Sequence, residues 1–365
     1  MMNRRTLLAA SATMLAPGMA HRRWLQPVSG TPAATPDGTV VSYEATNLIN
    51  PRGMACGDDG TLYAGIGGNP GPNAAVVKIE DGCPTVVVGG FPTARVAFRA
   101  IAGIADVATL AGKLYALLAG GNIDDGGMPN GIYEIVGRND ARLVANISEF
   151  IRDNPVADKP GDYDTDGQPY ALLADGDGFF VTEGNSNQLF RVGLDGTVER
   201  IADLSDGHPI PTGLARAGDD EVYVAYFTAA PYPEGGAKVV TISGDGAVAD
   251  AWTGLTLVTA LATGEANALY ALEMATGYGD DPGAIAAGSG RVVRQDGPDA
   301  LTPVVTGLDL PAAMIFDPNG DLLISGPAFG ADAGEGFIIR IPAGQLATGS
   351  VDVAGLTPPV TGCPI

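Results

Sequence analysis

Asp58-Asp59-Gly60-Thr61-Leu62-Tyr63-Ala64 is a tight turn that runs straight into an alternating apolar segment, and the chain repeats it. It returns as Ala111-Gly112-Lys113-Leu114-Tyr115-Ala116, Asp175-Gly176-Asp177-Gly178-Phe179-Phe180-Val181, Gly218-Asp219-Asp220-Glu221-Val222-Tyr223-Val224, Glu265-Ala266-Asn267-Ala268-Leu269-Tyr270-Ala271 and Pro318-Asn319-Gly320-Asp321-Leu322-Leu323-Ile324. An apolar segment precedes each turn. After most copies come a polar loop and a third alternating segment, such as Ala75-Val76-Val77-Lys78-Ile79 or Phe337-Ile338-Ile339-Arg340-Ile341, then a further turn and a fourth segment. Period-two alternation marks strands, and no stretch of about twelve residues after the N-terminal segment carries a helical apolar stripe. A four-strand unit recurring about every 50 residues, six times over, predicts an all-β fold: a six-bladed β-propeller of four-stranded antiparallel blades across residues 40–345. Val40-Val41-Ser42-Tyr43-Glu44-Ala45 precedes the first complete unit and is predicted to supply the outer strand of the last blade, closing the ring. The Asp-Gly and Asn-Gly pairs are read as hairpin turn chemistry and not as catalytic carboxylates.

Composition agrees with a turn-rich β protein. Of 365 residues, 53 are Gly and 27 Pro, well above ordinary usage. The formal net charge of −22 argues against nucleic acid as a partner, since that surface would repel a polyanion. Residues 1–20 read as an export signal: Arg4-Arg5 stands before a modestly apolar, Ser/Thr-containing run, and small residues at Gly18 and Ala20 suit cleavage before His21. The Arg pair favours the twin-arginine route over an ordinary secretory signal, and both readings place the protein outside the cytoplasm. The apolar run is too short to span a bilayer, so no membrane span is expected, and the protein is read as a monomer. Residues 21–39 read as a Pro/Thr-rich linker and 346–365 as a C-terminal tail. With three cysteines in an oxidising compartment at least one stays unpaired; of the three possible pairings Cys83 with Cys363 is preferred, leaving Cys56 as a buried thiol.

The segments Asn50-Pro51-Arg52-Gly53-Met54-Ala55, Gln168-Pro169-Tyr170-Ala171-Leu172-Leu173, Pro211-Thr212-Gly213-Leu214-Ala215 and Pro231-Tyr232-Pro233-Glu234-Gly235-Gly236-Ala237 resemble the bacterial ScyD/ScyE family, and more widely the exported six-bladed propellers that include NHL-repeat and gluconolactonase-like proteins. The resemblance spans about residues 40–342. It implies the propeller fold and export, and no settled activity. Gln168-Pro169-Tyr170-Ala171 departs from the family's usual Asn-Pro-Tyr-Gly and follows an acidic run foreign to it.

In a propeller the loops leading into the inner strands open on one face around a central funnel, together with those joining second and third strands. There the sequence places Arg52, Tyr170, Thr212 and Tyr232 as ligand contacts, with Asn185 and Asn187 beside them. Glu183 and the two Asn within Thr182-Glu183-Gly184-Asn185-Ser186-Asn187 have the oxygen chemistry of a hard-cation site, and the gluconolactonase-like resemblance implies a divalent ion near the funnel. Asp162-Tyr163-Asp164-Thr165-Asp166-Gly167 is a second calcium candidate, with three alternate carboxylates and a turn glycine. An EF-hand is excluded, because its twelfth position falls on Leu173. Two histidines and unspaced cysteines exclude a zinc site of several His or a Cys-pair motif. No nucleophile elbow, P-loop or dinucleotide fingerprint occurs. The leading expectation is therefore a non-catalytic module that binds a small molecule, glycan or protein at the funnel face. A calcium-type lactonase using Glu183 and Glu273 is the alternative, and a quinone-dependent dehydrogenase with His208 as base and Arg52 beside substrate comes last.

Overall fold

The six turn-and-strand copies fall on the second strands of six blades in this computed structural model, which describes residues 31–34, 40–96, 100–124, 126–229, 231–277, 285–347, 349–359 and 363. The export signal lies outside the described residues. Blade 1 is built from Pro51–Cys56, Leu62–Ile66, Ala74–Glu80 and Cys83–Phe91, and blade 2 from Ile104–Leu110, Lys113–Leu118, Gly131–Gly137 and Asp140–Asn146. Blade 3 follows with Pro169–Asp175, Gly178–Glu183, Gln188–Gly193 and Val198–Asp203, and blade 4 with Pro211–Gly218, Glu221–Tyr226, Ala237–Ser243 and Val248–Leu255. Blade 5 takes Val258–Thr263, Leu269–Glu273, Gly290–Gly297 and Ala300–Leu308. Blade 6 has only three strands of its own, Ala313–Phe316, Leu322–Gly326 and Gly336–Ile341. Its fourth is the N-terminal Val40–Leu48, in the antiparallel register Ser42 with Arg340 and Tyr43 with Ile339. Each inner strand abuts the next, and the sixth abuts the first.

The core is divided in the way this architecture requires. Among the described residues, six of seven buried apolar clusters lie one at each seam between neighbouring blades: Tyr115 meets Phe179 edge-on between blades 2 and 3, Trp252 is fully buried between 4 and 5, and Leu48 packs with Met54 and Leu323 between 6 and 1. No blade buries both its faces alone, so stability is a property of the closed ring. Close approach of the inner strands explains the recurring Pro-x-Gly. A Cβ on Gly53 would stand 1.7 Å from a carboxylate oxygen of Asp106 on blade 2, and one on Gly213 would stand 2.7 Å from Ala260 Cα on blade 5's inner strand.

Closure is reinforced at two places. Arg340 on the third strand of blade 6 donates from Nε to Glu44 on the N-terminal strand at 2.8 Å, and from Nη1 to Asp321 at 3.0 Å and to Asp317. Cys83, opening the outer strand of blade 1, forms a disulfide with Cys363, which ties the tail to the ring across a sequence separation of 280. Cys56 is free and half-buried, its thiol pushed up to about 11 chiefly by burial.

Three local features lie beyond the reading of the sequence. Thr31–Ala34, inside the expected linker, pairs antiparallel with residues 40–43, and Val351–Asp352 in the tail adds a parallel strand to Ala300–Leu308. A seven-residue helix, Ile147–Asp153, follows blade 2, its first turn capped by the Asn146 side chain accepting from Glu149 N. Its two turns are too few to register as an apolar period.

Candidate functional site

A cavity of about 810 Å³ runs into the centre of the ring and is walled by inner-strand residues of all six blades. That is the size of a pocket for a small organic molecule. Its two halves differ in chemistry. Blades 1 to 3 contribute Arg52, Asp106 and Tyr170; blades 4 to 6 contribute an apolar collar in which Phe227, Met274, Ala312 and Ala328 are buried, with Tyr232 and Phe329 packed against them.

Arg52, on the Pro51–Cys56 strand, lines the cavity. Nη2 donates to the Ile101 carbonyl at 2.7 Å, and among the described residues it meets no carboxylate. Burial holds its pKa below the ordinary Arg value, while the Tyr170 ring pulls the other way. Tyr170, at the start of blade 3's inner strand, has its phenol pushed up to about 12 by burial, a rise that Arg52 eases and Asp106 adds to.

Asp106 was not among the residues expected from the sequence. It sits on the inner strand of blade 2, where its Oδ1 accepts from Val107 N and its Oδ2 from Leu172 N on blade 3, both at 2.8 Å. Burial in the funnel wall pushes the carboxyl up to about 7, against the pull of those two N–H groups. The signal available in the sequence was an acid inside an otherwise apolar inner strand, Ile104-Ala105-Asp106-Val107.

Several of the expected residues are turned to structural work. Thr212 is buried in the seam between blades 4 and 5, where its hydroxyl donates to the Val258 carbonyl at 2.7 Å. Glu183 is fully buried, and its carboxylate accepts from Gln168 N at 2.6 Å, Asn185 N at 2.9 Å, Ser186 N at 2.7 Å and the Ser186 hydroxyl. Burial raises its pKa and those four donors lower it in part. Asn185 and Asn187 hold the same loop: Asn185 accepts from Asp164 N at 2.7 Å and donates to the Asp162 carbonyl at 3.0 Å, and Asn187 accepts from Ile210 N at 2.7 Å. Glu273, also fully buried, accepts from Thr256 N at 2.6 Å and pairs with Arg291.

The D-x-D-x-D-G loop does not gather its carboxylates. Asp162 is exposed, Asp164 Oδ1 caps Asp166 N at 2.9 Å, and Asp166 is buried with Oδ1 on Ile123 N and Oδ2 on Arg152, each at 3.1 Å. Calcium asks for six to eight oxygens on one centre. With Glu183 committed to four protein donors and the three Asp divergent, the described residues do not fit that ion, and among them no group of three or more His, Cys, Asp or Glu converges. His208 stands between blades 3 and 4 at the cavity wall, Nε2 3.8 Å from Asp158, away from the blade that carries Arg52. Tyr232 packs edge-on against Phe227 with ring centroids 5.9 Å apart. It faces the cavity from the apolar side.

The ring and its funnel define the class: a six-bladed β-propeller with a ligand-sized central cavity. No protein-family model matches the sequence, and no curated protein matches it. Solved structures of the same fold include a gluconolactonase of Xanthomonas campestris, 16% identical over 85% of this chain and 91% of that one, with a TM-score of 0.56. A putative glucose dehydrogenase of Thermus thermophilus is 13% identical over 82% of this chain and 98% of that one, with a TM-score of 0.57. The PQQ-bound aldose sugar dehydrogenase of Streptomyces coelicolor is 12% identical over 85% and 99%, with a TM-score of 0.54. At these identities the likeness establishes the fold and not the chemistry. Among the described residues no helix is long and apolar enough to cross a membrane.

Proposed function

We propose that this protein is an exported propeller of the ScyD/ScyE kind, monomeric and carried by the twin-arginine route, which binds a small molecule in its funnel without turning it over. The observation that carries the reading is the cavity of about 810 Å³ whose wall combines Arg52, Asp106 and Tyr170 of blades 1 to 3 with an apolar collar from blades 4 to 6. A pocket with a few convergent polar groups on an apolar wall is the usual form of a small-molecule site. The carboxylates that a metal-dependent lactonase would use, Glu183 and Glu273, have their lone pairs engaged by the protein. The test is a thermal-unfolding screen of the chain lacking residues 1–20 against small organic molecules, repeated on Ala313→Phe, which fills the cavity from blade 6. A ligand at a hundred times its Kd stabilises by about 2.7 kcal/mol. Midpoint shifts that vanish in Ala313→Phe support the reading, and shifts that persist there place binding elsewhere.

One observation favours hydrolysis of a lactone as a second reading: Asp106 shares the cavity wall with Tyr170 and burial pushes its carboxyl up to about 7, in the range that suits a general acid or base. Turnover of glucono-δ-lactone that disappears in Asp106→Asn would establish it. No turnover by the wild type leaves the binding module.

A further inference from the structure

The cavity wall carries two described cations, and they are treated differently. Arg216, at the far end of blade 4's inner strand, is paired with Asp175, which also binds Arg191. Arg52 has one carbonyl for its five N–H groups and no ion-pair partner among the described residues, in a protein with 42 acidic side chains. A guanidinium is never deprotonated, so a charge inside a cavity without a counter-ion is costly unless something brings one. Asp106, in the same cavity wall, is spent on Leu172 N and Val107 N of the inner strands and forms no ion pair with Arg52.

Resting on the funnel-binding reading, we infer that the ligand is an amphipathic organic monoanion, a carboxylate whose charged end seats on the Arg52 fork and whose apolar body lies against the collar of Phe227, Met274 and Phe329. Three features select this class. The fork geometry of a guanidinium matches a carboxylate through two parallel N–H···O bonds. One unpaired cation balances one negative charge, so the second charge of a dianion such as a phosphate monoester would find no partner in the described wall. The collar of blades 4 to 6 offers aromatic and methionine surface, and the other arginine of the wall, Arg216, is already paired with Asp175, which suits a hydrocarbon body and not a second charged group. Tyr170 lines the same cavity and is electrostatically linked to both Arg52 and Asp106.

The test is calorimetric titration of the chain lacking residues 1–20 with butanoate, hexanoate and octanoate, each against its primary amide, and with octyl phosphate. The expected result is affinity rising with chain length, a tenfold or larger preference for the acid over the amide, and weaker binding of the phosphate. Arg52→Gln should reduce acid binding to the level of the amide, with Arg52→Lys intermediate because it keeps the charge and loses the fork. Unfolding midpoints without ligand check that the variants fold, and Ala313→Phe should abolish binding of both series. Equal binding of acids and amides, unaffected in Arg52→Gln, overturns the inference and leaves the funnel reading intact. Tighter binding of the phosphate overturns the carboxylate assignment. Absence of binding by every probe at millimolar concentration, or binding that survives Ala313→Phe, overturns the inference and the funnel reading together.

Discussion

Arg340 and Arg52 stand on neighbouring blades, and the difference between their surroundings separates the part of the molecule that holds the ring shut from the part left open to a ligand. Arg340 is met by Glu44, Asp317 and Asp321, which bind the N-terminal strand to the last blade and raise its pKa further. Arg52 is met by a carbonyl and feels the charge of no residue but Tyr170 among those that shift it. Buried charge that is fully paired is architecture. The same side chain left unpaired in a cavity is a binding element, and an arginine's type alone does not tell one from the other.

The sharpest break of this comparison is Arg340→Met, which leaves three largely buried carboxylates facing one another. A loss of about 3–5 kcal/mol in denaturant unfolding is expected. Cys363→Ser is expected to cost about 2–4 kcal/mol, because the bridge to Cys83 closes most of the chain into one loop; unfolding with and without reductant measures it, and the reduced wild type should match the variant.

Asp106 gives a pH signature. The folded state holds its proton up to about 7, while the unfolded chain releases it near 4, so the native state binds more protons in between and stability falls as pH rises through that window. Water reaching the funnel reduces the full shift to about 2–3 kcal/mol of pH-dependent stability. Asp106→Asn should flatten the unfolding midpoint between pH 4 and 7, and an unchanged slope would mean that the titrating group lies elsewhere.

Smaller effects test the open side. Arg52→Gln removes one hydrogen bond, so its stability should change by about 1 kcal/mol or less, several-fold below Arg340→Met. Calcium against excess chelator should leave the midpoint where it is, and Asp164→Ala should change stability by about 0.5 kcal/mol at most, since its carboxylate caps only Asp166 N in an exposed loop. A calcium-dependent rise of a few degrees lost in Asp164→Ala would show that the acidic loop closes on an ion after all.

The repeat made the fold legible. Asp-Gly turns and alternating strands are local properties, so six copies of Asp58–Ala64 located every second strand, and the unpaired Val40–Ala45 located the closing one. The site was legible by region and only partly by residue. Arg52, Tyr170, Tyr232, Thr212 and Asn187 all line the cavity, but the Thr212 hydroxyl and the Asn187 amide oxygen are spent on the Val258 carbonyl and Ile210 N, and Glu183 turns into its own loop. In a propeller, successive inner-strand residues point alternately to funnel and seam, and the bulges after Pro51, Pro169 and Pro211 shift that alternation without leaving a mark in the residue pattern. The sequence by itself determined the blade count, the closing strand and the turn chemistry, because each is written within a few residues of itself. Only the tertiary structure decided which carboxylates are engaged and which arginine is left unpaired, because their partners come from other blades and from loops whose course is set when the ring closes.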